Sequence, residues 1–347
     1  MTFAESPVVT FEVDHEGDPH DLVYTLGGAE ARASLVPGSI LDTSTLDCFA
    51  GKVTSVHDHV SEVCDPRCLN PQTGPFYIEG AEPGDTLAVH FAKIEPRNTF
   101  GFSTSVPLFG SLTATGFTAM LHQPLPEMTW RYDLDLEART VRYEARESEA
   151  FYTLPLDPMH GTVGVAPALN EARSSLTPGD WGGNMDTPEM RVGTTCFLGV
   201  NVEGALFSFG DGHARQGEGE TCGVAVETAM DSVLVIDLIK GGPRTAWPRL
   251  ENDRDIMTTG STRPLEDAFR ISQVEMVHWV SELTGLSMMD AYQFVTQAVE
   301  SPIANVVDTN YTVVAKMKKA YIPGCNPMGG IHERLKQLGA AYLASLT

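Results

Sequence analysis

Short apolar runs separated by Gly, Pro, Asn and Asp dominate residues 1–240, and this pattern predicts short strands. Thr86 to Ile94 alternates between apolar and other residues, which predicts a sheet strand with one well-buried face. Ser232 to Leu238 is apolar on both faces and predicts a central strand. Cys196 to Phe209 predicts a hairpin, because β-forming residues flank the turn pair Glu203-Gly204. We therefore expect an antiparallel, largely β body.

The pattern changes to helical spacing after about residue 262. Pro264 can open a first helix, and Gly285 would end it. Ser287 offers an N-cap of the capping-box type for a second helix. Residues 331–346 carry an apolar stripe at helical spacing, which needs a partner surface in the body or in another subunit.

These elements together predict a mainly β protein of the α+β class. Residues 1–240 would form a β-rich body that carries most of the functional residues. Residues 241–347 would form a helical segment that packs on this body without being an independent domain. Two long polar stretches, 62–76 and 240–263, contain Pro and Gly, and loops of this length are candidates for covering a pocket.

Composition limits the partners and the compartment. With 46 acidic and 23 basic residues the formal net charge is -23, which argues against nucleic acid and an anionic membrane as partners. No apolar run approaches membrane-spanning length, and the N-terminus lacks the pattern of a secretory signal. The six cysteines are scattered, without repeated Cys-x-x-Cys pairs, so a reduced, cytoplasmic protein is the simplest inference.

Cysteine and histidine spacing leaves one further possibility near the N-terminus. Cys64 and Cys68 could join His57 and His59 in a zinc cluster, because Cys-x3-Cys lies within the spacing range of structural sites. The neighbours of the two histidines are charged and include no glycine. A solvated loop is therefore the better interpretation of that His-x-His pair.

Candidate chemistry concentrates at residues 207–227, where an Asp-x-His pair, two carboxylates and five glycines follow an apolar run. Asp211 and His213 are two residues apart, so in extended backbone both side chains leave the same face and can hold one divalent cation. The glycines allow the backbone to approach a small ligand closely. An acidic, Gly-rich hairpin loop without a function is the alternative.

Four other places hold groups that could converge with this segment. His160 begins a Gly-punctuated run and could be an acid, base or ligand, or a histidine satisfied by backbone. Asn184 and Asp186 could hydrogen-bond an amide or orient a ligand histidine, although turns without a function look the same. Partial burial would raise the pKa of Glu79 toward a useful range, unless it is a surface glutamate. Asp47 lies in a mildly apolar segment, where a buried acid is usually paired or metal-bound.

Several of these segments together resemble the acetamidase/formamidase family. The most specific part is Gly-Asp-Gly-His-Ala-Arg-Gln-Gly-Glu-Gly-Glu, and looser similarity covers residues 35–322. The resemblance implies a cytoplasmic, metal-dependent hydrolase of small aliphatic amides that forms homo-oligomers. It also implies a jelly-roll-like antiparallel β-sandwich body with α/β additions. Residues 48–73 and the tail from Pro323 depart from the family pattern, which leaves the substrate size open. The other matching stretches are 74–87, 107–110, 160–167, 184–186 and 221–227.

These residues predict hydrolysis by a metal-activated water. Asp47, Asp211 and His213 would hold one zinc-like divalent cation, which acidifies the bound water. Glu220 would take the proton of that water and pass it to the leaving nitrogen. Glu79 is the competing candidate for this base.

The remaining candidates would bind the substrate. His160 and Asn184, with Asp186 nearby, would steady the oxyanion or the amide nitrogen, and the backbone near Gly110 would contribute an N–H. Two alternatives stay open. The substrate could contain another C–N bond, in a larger amide, lactam or imine, if residues 48–73 enlarge the pocket. The chain could also be a β-sandwich binding module in which the same acids hold a structural cation.

Overall fold

The computed structural model describes residues 6–113, 123–242 and 245–346. Its helices are α1 (Val60–Val63), α2 (Leu265–Thr284), α3 (Met288–Ala298) and α4 (Ile331–Ser345). Its strands are β1 (Val8–Phe11), β2 (Thr25–Leu26), β3 (Ala33–Leu35), β4 (Ser39–Thr45), β5 (Gln72–Ile78), β6 (Thr86–Pro96), β7 (Phe100–Ser105), β8 (Met128–Asp135), β9 (Thr140–Glu144), β10 (Phe151–Pro155), β11 (Met159–Gly164), β12 (Arg173–Ser174), β13 (Gly182–Asn184), β14 (Thr195–Gly199), β15 (Phe207–Arg215), β16 (Val226–Glu227), β17 (Met230–Ile239), β18 (Arg249–Glu251), β19 (Asp255–Thr262), β20 (Val299–Glu300), β21 (Ile303–Asn305) and β22 (Tyr311–Lys318).

Most strands belong to two large sheets. The first sheet has the order β1-β4-β17-β6-β14-β18-β19-β22-β20, with β21 beside β22. The second has the order β10-β9-β8-β7-β16-β15-β11-β13, with β5 beside β15 and β3 beside β5. Apolar side chains from both sheets, including Leu41 and Phe91 of the first and Phe209 of the second, form one buried cluster. The predicted mainly β class and sandwich body are confirmed.

The centre of the first sheet is buried on both faces. Ser232 to Leu238 lies in β17, between β4 and β6, so the predicted central strand is confirmed. The prediction of a single buried face for Thr86 to Ile94 was wrong. Val89 faces the core between the sheets, whereas Ala88 packs with Leu335 of α4 on the outer face. Helix α4 thus finds in this sheet the partner surface that its apolar stripe requires.

The hairpin predicted at Cys196 to Phe209 does not form. Strand β14 pairs with β6 and β18 in the first sheet, whereas β15 pairs with β5, β11 and β16 in the second. The chain between them crosses from one sheet to the other, and Gly204, Ala205 and Leu206 all have positive φ there. Strands β14 and β15 are almost entirely buried, and each pairs with strands that are distant in sequence.

The predicted helices are confirmed. Helix α2 follows Pro264 and ends at Gly285, which takes the left-handed conformation, and the Ser287 side chain caps α3 by accepting from the Asp290 N–H. Residues 241–347 also supply five strands to the first sheet, from β18 to β22. The stretch 240–263 therefore contains the strands β18 and β19 and is not one long loop. None of the helices within the described ranges has the length and apolarity needed to cross a membrane.

Candidate active site

A reversal in the side-chain alternation of β15 creates the site. Phe207 and Phe209 belong to the core, and Asp211 and His213 share their parity, so a regular strand would bury all four there. Asp211 has a φ of 58°, a left-handed value that costs a non-glycine residue about 1–3 kcal/mol. Beyond it Gly212 faces Met230 in the core, and Asp211 and His213 point to the other side of the sheet. The strained residue therefore takes two ionisable groups out of the apolar core.

Gly161, on the neighbouring strand β11, leaves room for these groups. A Cβ atom at this position would lie less than 3.0 Å from Asp186 Oδ1, Asp211 Oδ2 and His213 Cε1. Contacts this short are not found for real Cβ atoms, so only glycine fits here without moving the acids. The side chains of Asp186, Asp211 and His213 therefore converge above Gly161, which has no side chain of its own.

His213 is held with one ring nitrogen directed at carboxylates. Its Nδ1 lies 3.0 Å from Gln216 Oε1, and Gln216 Nε2 donates to the carbonyl oxygens of Asp186 and Ala304, which fixes the orientation of that amide. Nδ1 therefore carries a proton and donates to Gln216. The other nitrogen, Nε2, lies 3.2 Å from Glu227 Oε1 and 3.4 Å from Asp211 Oδ1.

Buried amides hold two further acids beside His213. Asn184 Nδ2 donates to Asp186 Oδ2 at 2.8 Å and to Asp308 Oδ2 at 2.7 Å. Asn305 Nδ2 donates to the same two carboxylates. Asn184 Oδ1 in turn accepts from Asn70 Nδ2 at 2.9 Å and from the Thr162 hydroxyl. These amides lock the carboxylates in place, as positioning residues do around a preorganised site.

The cluster contains five buried carboxylates and one histidine. Burial raises the pKa of Glu220 well above its usual range, and nearby acids add to the shift against the opposing effect of His213. Burial has the same effect on the pKa of Asp186, while it raises that of Asp308 to about 6. Burial alone would lower the pKa of His213, but Glu227 and Asp211 outweigh it and hold that pKa well above its ordinary value. The five acids are Asp186, Asp211, Glu220, Glu227 and Asp308.

A cavity of about 300 Å³ opens onto this cluster. Its polar lining includes Asp211, Glu220, Glu227 and Asp308, and the rest of its lining is largely apolar. None of the described residues that line it is a lysine or an arginine. The negative charge of the cluster is therefore not balanced by a basic side chain of the cavity wall.

A family model supplies the identity. The acetamidase/formamidase family model matches residues 29–170 and 142–317, which together span most of the chain. The chain belongs to the acetamidase/formamidase family. Membership identifies it as an amidase that acts on small linear amides, which confirms the predicted family and enzyme class.

Relatives of this acetamidase/formamidase family member agree with that assignment. The chain is 27% identical to the acetamidase of Mycolicibacterium smegmatis, over 69% of this chain and 72% of that protein. Its fold is similar to the crystal structure of an acetamidase from Yersinia enterocolitica, with a TM-score of 0.84 and 37% identity over 92% of this chain and 94% of the other. An acetamidase from Bacillus halodurans gives a TM-score of 0.78 and 28% identity, over 90% and 98% of the two chains.

The structure of this amidase brings Asp211, His213 and Glu220 together with Asn184 and Asp186, as the sequence predicted. It does not place the carboxylate of Asp47 among them. Asp47 Oδ1 accepts from the backbone N–H groups of Phe49 at 2.8 Å and Gly51 at 3.1 Å, so this acid builds a turn. That turn presents the next residue, Cys48, to the cavity.

Two predicted catalytic residues lie outside the cluster. Glu79 is exposed just past the end of β5, about 20 Å along that strand from Gln72, which packs beside Asn70. His160 is buried in the core, with Nδ1 donating to Gly210 O at 3.0 Å and Nε2 at 2.8 Å from Ser232 Oγ. Glu79 is thus a surface glutamate, and His160 is a buried histidine with a hydrogen-bond partner on each ring nitrogen. The sequence had left both of these alternatives open.

Gly110 and the cysteine-histidine stretch also lie outside the acid cluster. Gly110 has a φ of 97° and packs against the backbone of Cys222, beside the cavity residue Phe109. His57 and His59 join no group of potential metal ligands among the described residues, and Cys68 Sγ lies 3.5 Å from His20 Nδ1 instead. The zinc cluster considered for that stretch does not form.

Sequence reasoning missed several members of the site. Asn70, Glu227 and the pair Asn305 and Asp308 lie far apart along the chain, and only tertiary packing brings them together. The Asn-Val-Val-Asp run of residues 305–308 carried the one usable signal, an amide and an acid in a segment that resembles the family. The predicted homo-oligomer, the cytoplasmic location and the zinc ion stay predictions.

Proposed function

We propose that the acid cluster holds a divalent cation and that the site hydrolyses primary amides to a carboxylate and ammonia. One observation carries this proposal. Five carboxylates are buried around a single histidine, and no basic side chain of the described cavity lining balances them. Uncompensated buried charge is very costly, so such a cluster requires protons or a cation.

The residues present fit a cation. Asp186 Oδ1 is buried without a hydrogen-bond partner among the described residues, although it faces the cluster beside Asp211 and His213. Nε2 of His213 is the nitrogen free of the Gln216 contact, and Asp211 and Glu227 flank it. A histidine whose second nitrogen donates to a fixed oxygen, set among carboxylates, is a frequent zinc-binding arrangement. We assign Asp211, His213 and Glu227 as the core of the ligand set.

The chemistry divides between the cation and the side chains. When bound, a divalent cation polarises the amide carbonyl and acidifies a water. Glu220 lines the same cavity, where its carboxylate would take a proton from water and release it to the amide nitrogen. Nitrogen then leaves as ammonia and not as an amide anion. Asn184 and Asn305 hold the carboxylates of Asp186 and Asp308 in fixed positions in the same cluster as Glu220.

The first test is ammonia release by the purified protein. Formamide, acetamide, propionamide and benzamide are assayed before chelation, after chelation and after zinc is added back. We expect release that chelation abolishes and zinc restores, while the fold persists in the circular dichroism spectrum. Loss of the fold together with the metal, without ammonia from any amide, would instead indicate a binding module with a structural ion.

Glu220→Gln tests the proton carrier. We expect kcat to fall by about 10²–10⁴-fold with the bound metal retained, because a carboxamide cannot accept the proton. Glu79→Gln is the matched control, and its kcat should stay within about twofold, since Glu79 is exposed at the far end of β5. Turnover and metal content are measured on both variants. Equal effects of the two substitutions would contradict the assignment.

A further inference from the structure

The cavity combines the acid cluster with an extensive apolar wall. Phe49 and Val60 are buried in one hydrophobic cluster, and Leu69, Val106 and Val224 pack against it as half-buried members. All five line the cavity, together with Phe109 and Leu176. Residues 48–73, which depart from the family pattern, thus supply much of the wall. The polar groups of the cavity belong to one hydrogen-bonded and charged cluster, which leaves the rest of its surface apolar.

The cavity is large for the smallest amides. Its volume of about 300 Å³ lies at the lower end of the range of pockets that bind drug-sized ligands. Formamide and acetamide occupy only a small part of that space. With either of them bound, most of the apolar wall would still face water, which is unfavourable.

We propose that this wall selects primary amides with a bulky apolar acyl group, such as a branched aliphatic or arylacetyl group. The inference rests on the proposed function, because it uses the acid cluster as the place where the carboxamide is cleaved. The carboxamide lies against Asp211, Glu220 and Glu227, and the acyl group fills the space lined by Val60, Leu69 and Val106. Specificity follows from apolar contact and not from hydrogen bonds.

The size of the expected effect follows from apolar burial. Each methylene that moves from water to the wall contributes about a fourfold gain in kcat/KM, up to the length that fills the cavity. The gain accumulates in kcat/KM because the acyl group contacts the wall in the transition state as well. We expect kcat/KM to rise from acetamide through butyramide and isovaleramide to phenylacetamide.

Variants that fill the cavity should reverse this preference. Val106→Phe places an aromatic ring in the acyl space, so the kcat/KM ratio of phenylacetamide to acetamide should fall by about tenfold or more. Leu176→Phe is a second variant in case Val106→Phe does not fold. Val274→Phe, at a 53% exposed position of α2, is the matched control and should leave the ratio unchanged.

The outcomes separate this inference from the proposed function. A rising series that both filling variants flatten would support the acyl pocket. A series that is highest for formamide or acetamide, or a ratio indifferent to both filling variants, would overturn it while the amidase assignment stands. No ammonia from any amide, with metal bound, would overturn the proposed function itself.

A second observation concerns Cys48, at the boundary between the wall and the acids. Its sulfur and oxygens of Asp211 and Glu227 all lie within 4.8 Å of one another. Asp47 fixes the turn that carries it, and the Cys48 carbonyl accepts from the Asn70 N–H at 2.7 Å. The Glu227 carboxylate is buried in the same place and accepts a hydrogen bond from the Cys48 thiol. The thiol is thus held beside the ligand set proposed above.

We infer that the Cys48 sulfur is a further ligand of the proposed cation. On binding, the thiol releases its proton to solvent as the sulfur–metal bond forms. A thiolate among oxygen and nitrogen ligands favours zinc over magnesium, calcium or manganese, because soft ligands select softer cations. The wild-type site should therefore discriminate against manganese more strongly than a Cys48→Ser variant does.

Cobalt substitution tests this ligand without any measurement of activity. Cobalt-loaded wild-type protein should show a sulfur-to-cobalt charge-transfer band in the near ultraviolet. Cys48→Ser should lose that band while it keeps the visible d–d absorption of bound cobalt. Cys222→Ser, at an exposed cysteine near the cavity, is the control and should keep both.

Each outcome has a definite meaning. A band that persists in Cys48→Ser, or bound cobalt without a band in the wild type, would overturn the ligand assignment alone. Failure of the wild-type protein to bind cobalt or zinc would overturn the proposed metal site as a whole.

Discussion

His160 and His213 lie on neighbouring strands and are both fully buried, yet their surroundings differ in kind. His160 packs between the rings of Phe91 and Phe209, with a carbonyl and a hydroxyl on its two nitrogens. Burial lowers its pKa to about 4. For His213, burial is outweighed by the charges of Glu227 and Asp211, and the pKa rises.

The difference teaches that burial alone does not mark a functional histidine. The neighbouring charges decide, and they depend on which face of the sheet a side chain leaves. Because Asp211 reverses the alternation, the two histidines end on opposite faces of the same strand pair. One strained residue therefore separates an apolar histidine environment from one that carries charged carboxylates.

The largest effect is expected from filling the space above Gly161, where the acids and His213 converge. Gly161→Ala places a methyl group against Asp186, Asp211 and His213, so several groups must shift. Because a displacement of about 1 Å can cost about 10²-fold, and several groups are displaced together, we expect kcat/KM to fall by about 10²-fold or more. Turnover and metal content are measured together.

Gly217→Ala provides the control for that substitution. Gly217 lies in the adjacent loop, where an added Cβ atom would meet nothing within 4 Å and φ is not positive. Near-normal turnover of both alanine variants would show that the space over Gly161 is not required.

The same substitution at the two histidines should have different effects. His213→Gln should weaken zinc binding by at least about 10²-fold, measured by chelator competition, because a ligand is lost. His160→Gln should keep the metal. It should lower the free energy of unfolding by about 1–3 kcal/mol, because the buried Gly210 carbonyl and Ser232 hydroxyl lose their hydrogen bonds to the imidazole. If His160→Gln released the metal as readily as His213→Gln, the contrast between the two faces would be wrong.

The acid cluster should also affect the pH dependence of stability in the metal-free protein. Burial raises the pKa of Asp308 from 3.8 to about 6, so the folded state holds this proton more tightly than the unfolded state does. Its contribution is fully present below the unfolded pKa and is lost as pH rises through the folded one. The loss is about 3 kcal/mol between about pH 4 and pH 6.

Asp308→Asn removes that titration. Chelated wild-type and variant proteins are unfolded with urea at several pH values, and the variant should lose less stability as the pH rises. Asp180→Asn, at an exposed position, serves as control and should follow the wild type. An unchanged slope in Asp308→Asn would contradict the proton assignment.

Sequence reasoning succeeded where the physical cause is local. Pro264, Gly285 and Ser287 set helix ends through their own backbone or side chains, so the helices were predicted well. Asp211 and His213 were found because their spacing and their glycines lie in one short segment.

Reasoning from local pattern failed where partners are distant. The hairpin at 196–209 was wrong because each arm pairs in a different sheet. Glu79 was overvalued because aromatic neighbours in sequence do not guarantee burial. Asp308 lies far along the chain from His213, and nothing singles out Glu227 within residues 207–227, so only the fold shows that both acids join the cluster.

The amide network has a consequence for the order of folding. Asn184 binds both Asp186 and Asp308, so one side of the site joins residues 124 positions apart in the chain. During synthesis at about 5–20 residues per second, Asp186 waits several seconds for the second acid to emerge. A nascent chain that ends before residue 305 lacks Asn305 and Asp308 and cannot complete the cluster. Completion of the acid cluster should therefore follow the closure of β21 and β22 onto the sheet and not precede it.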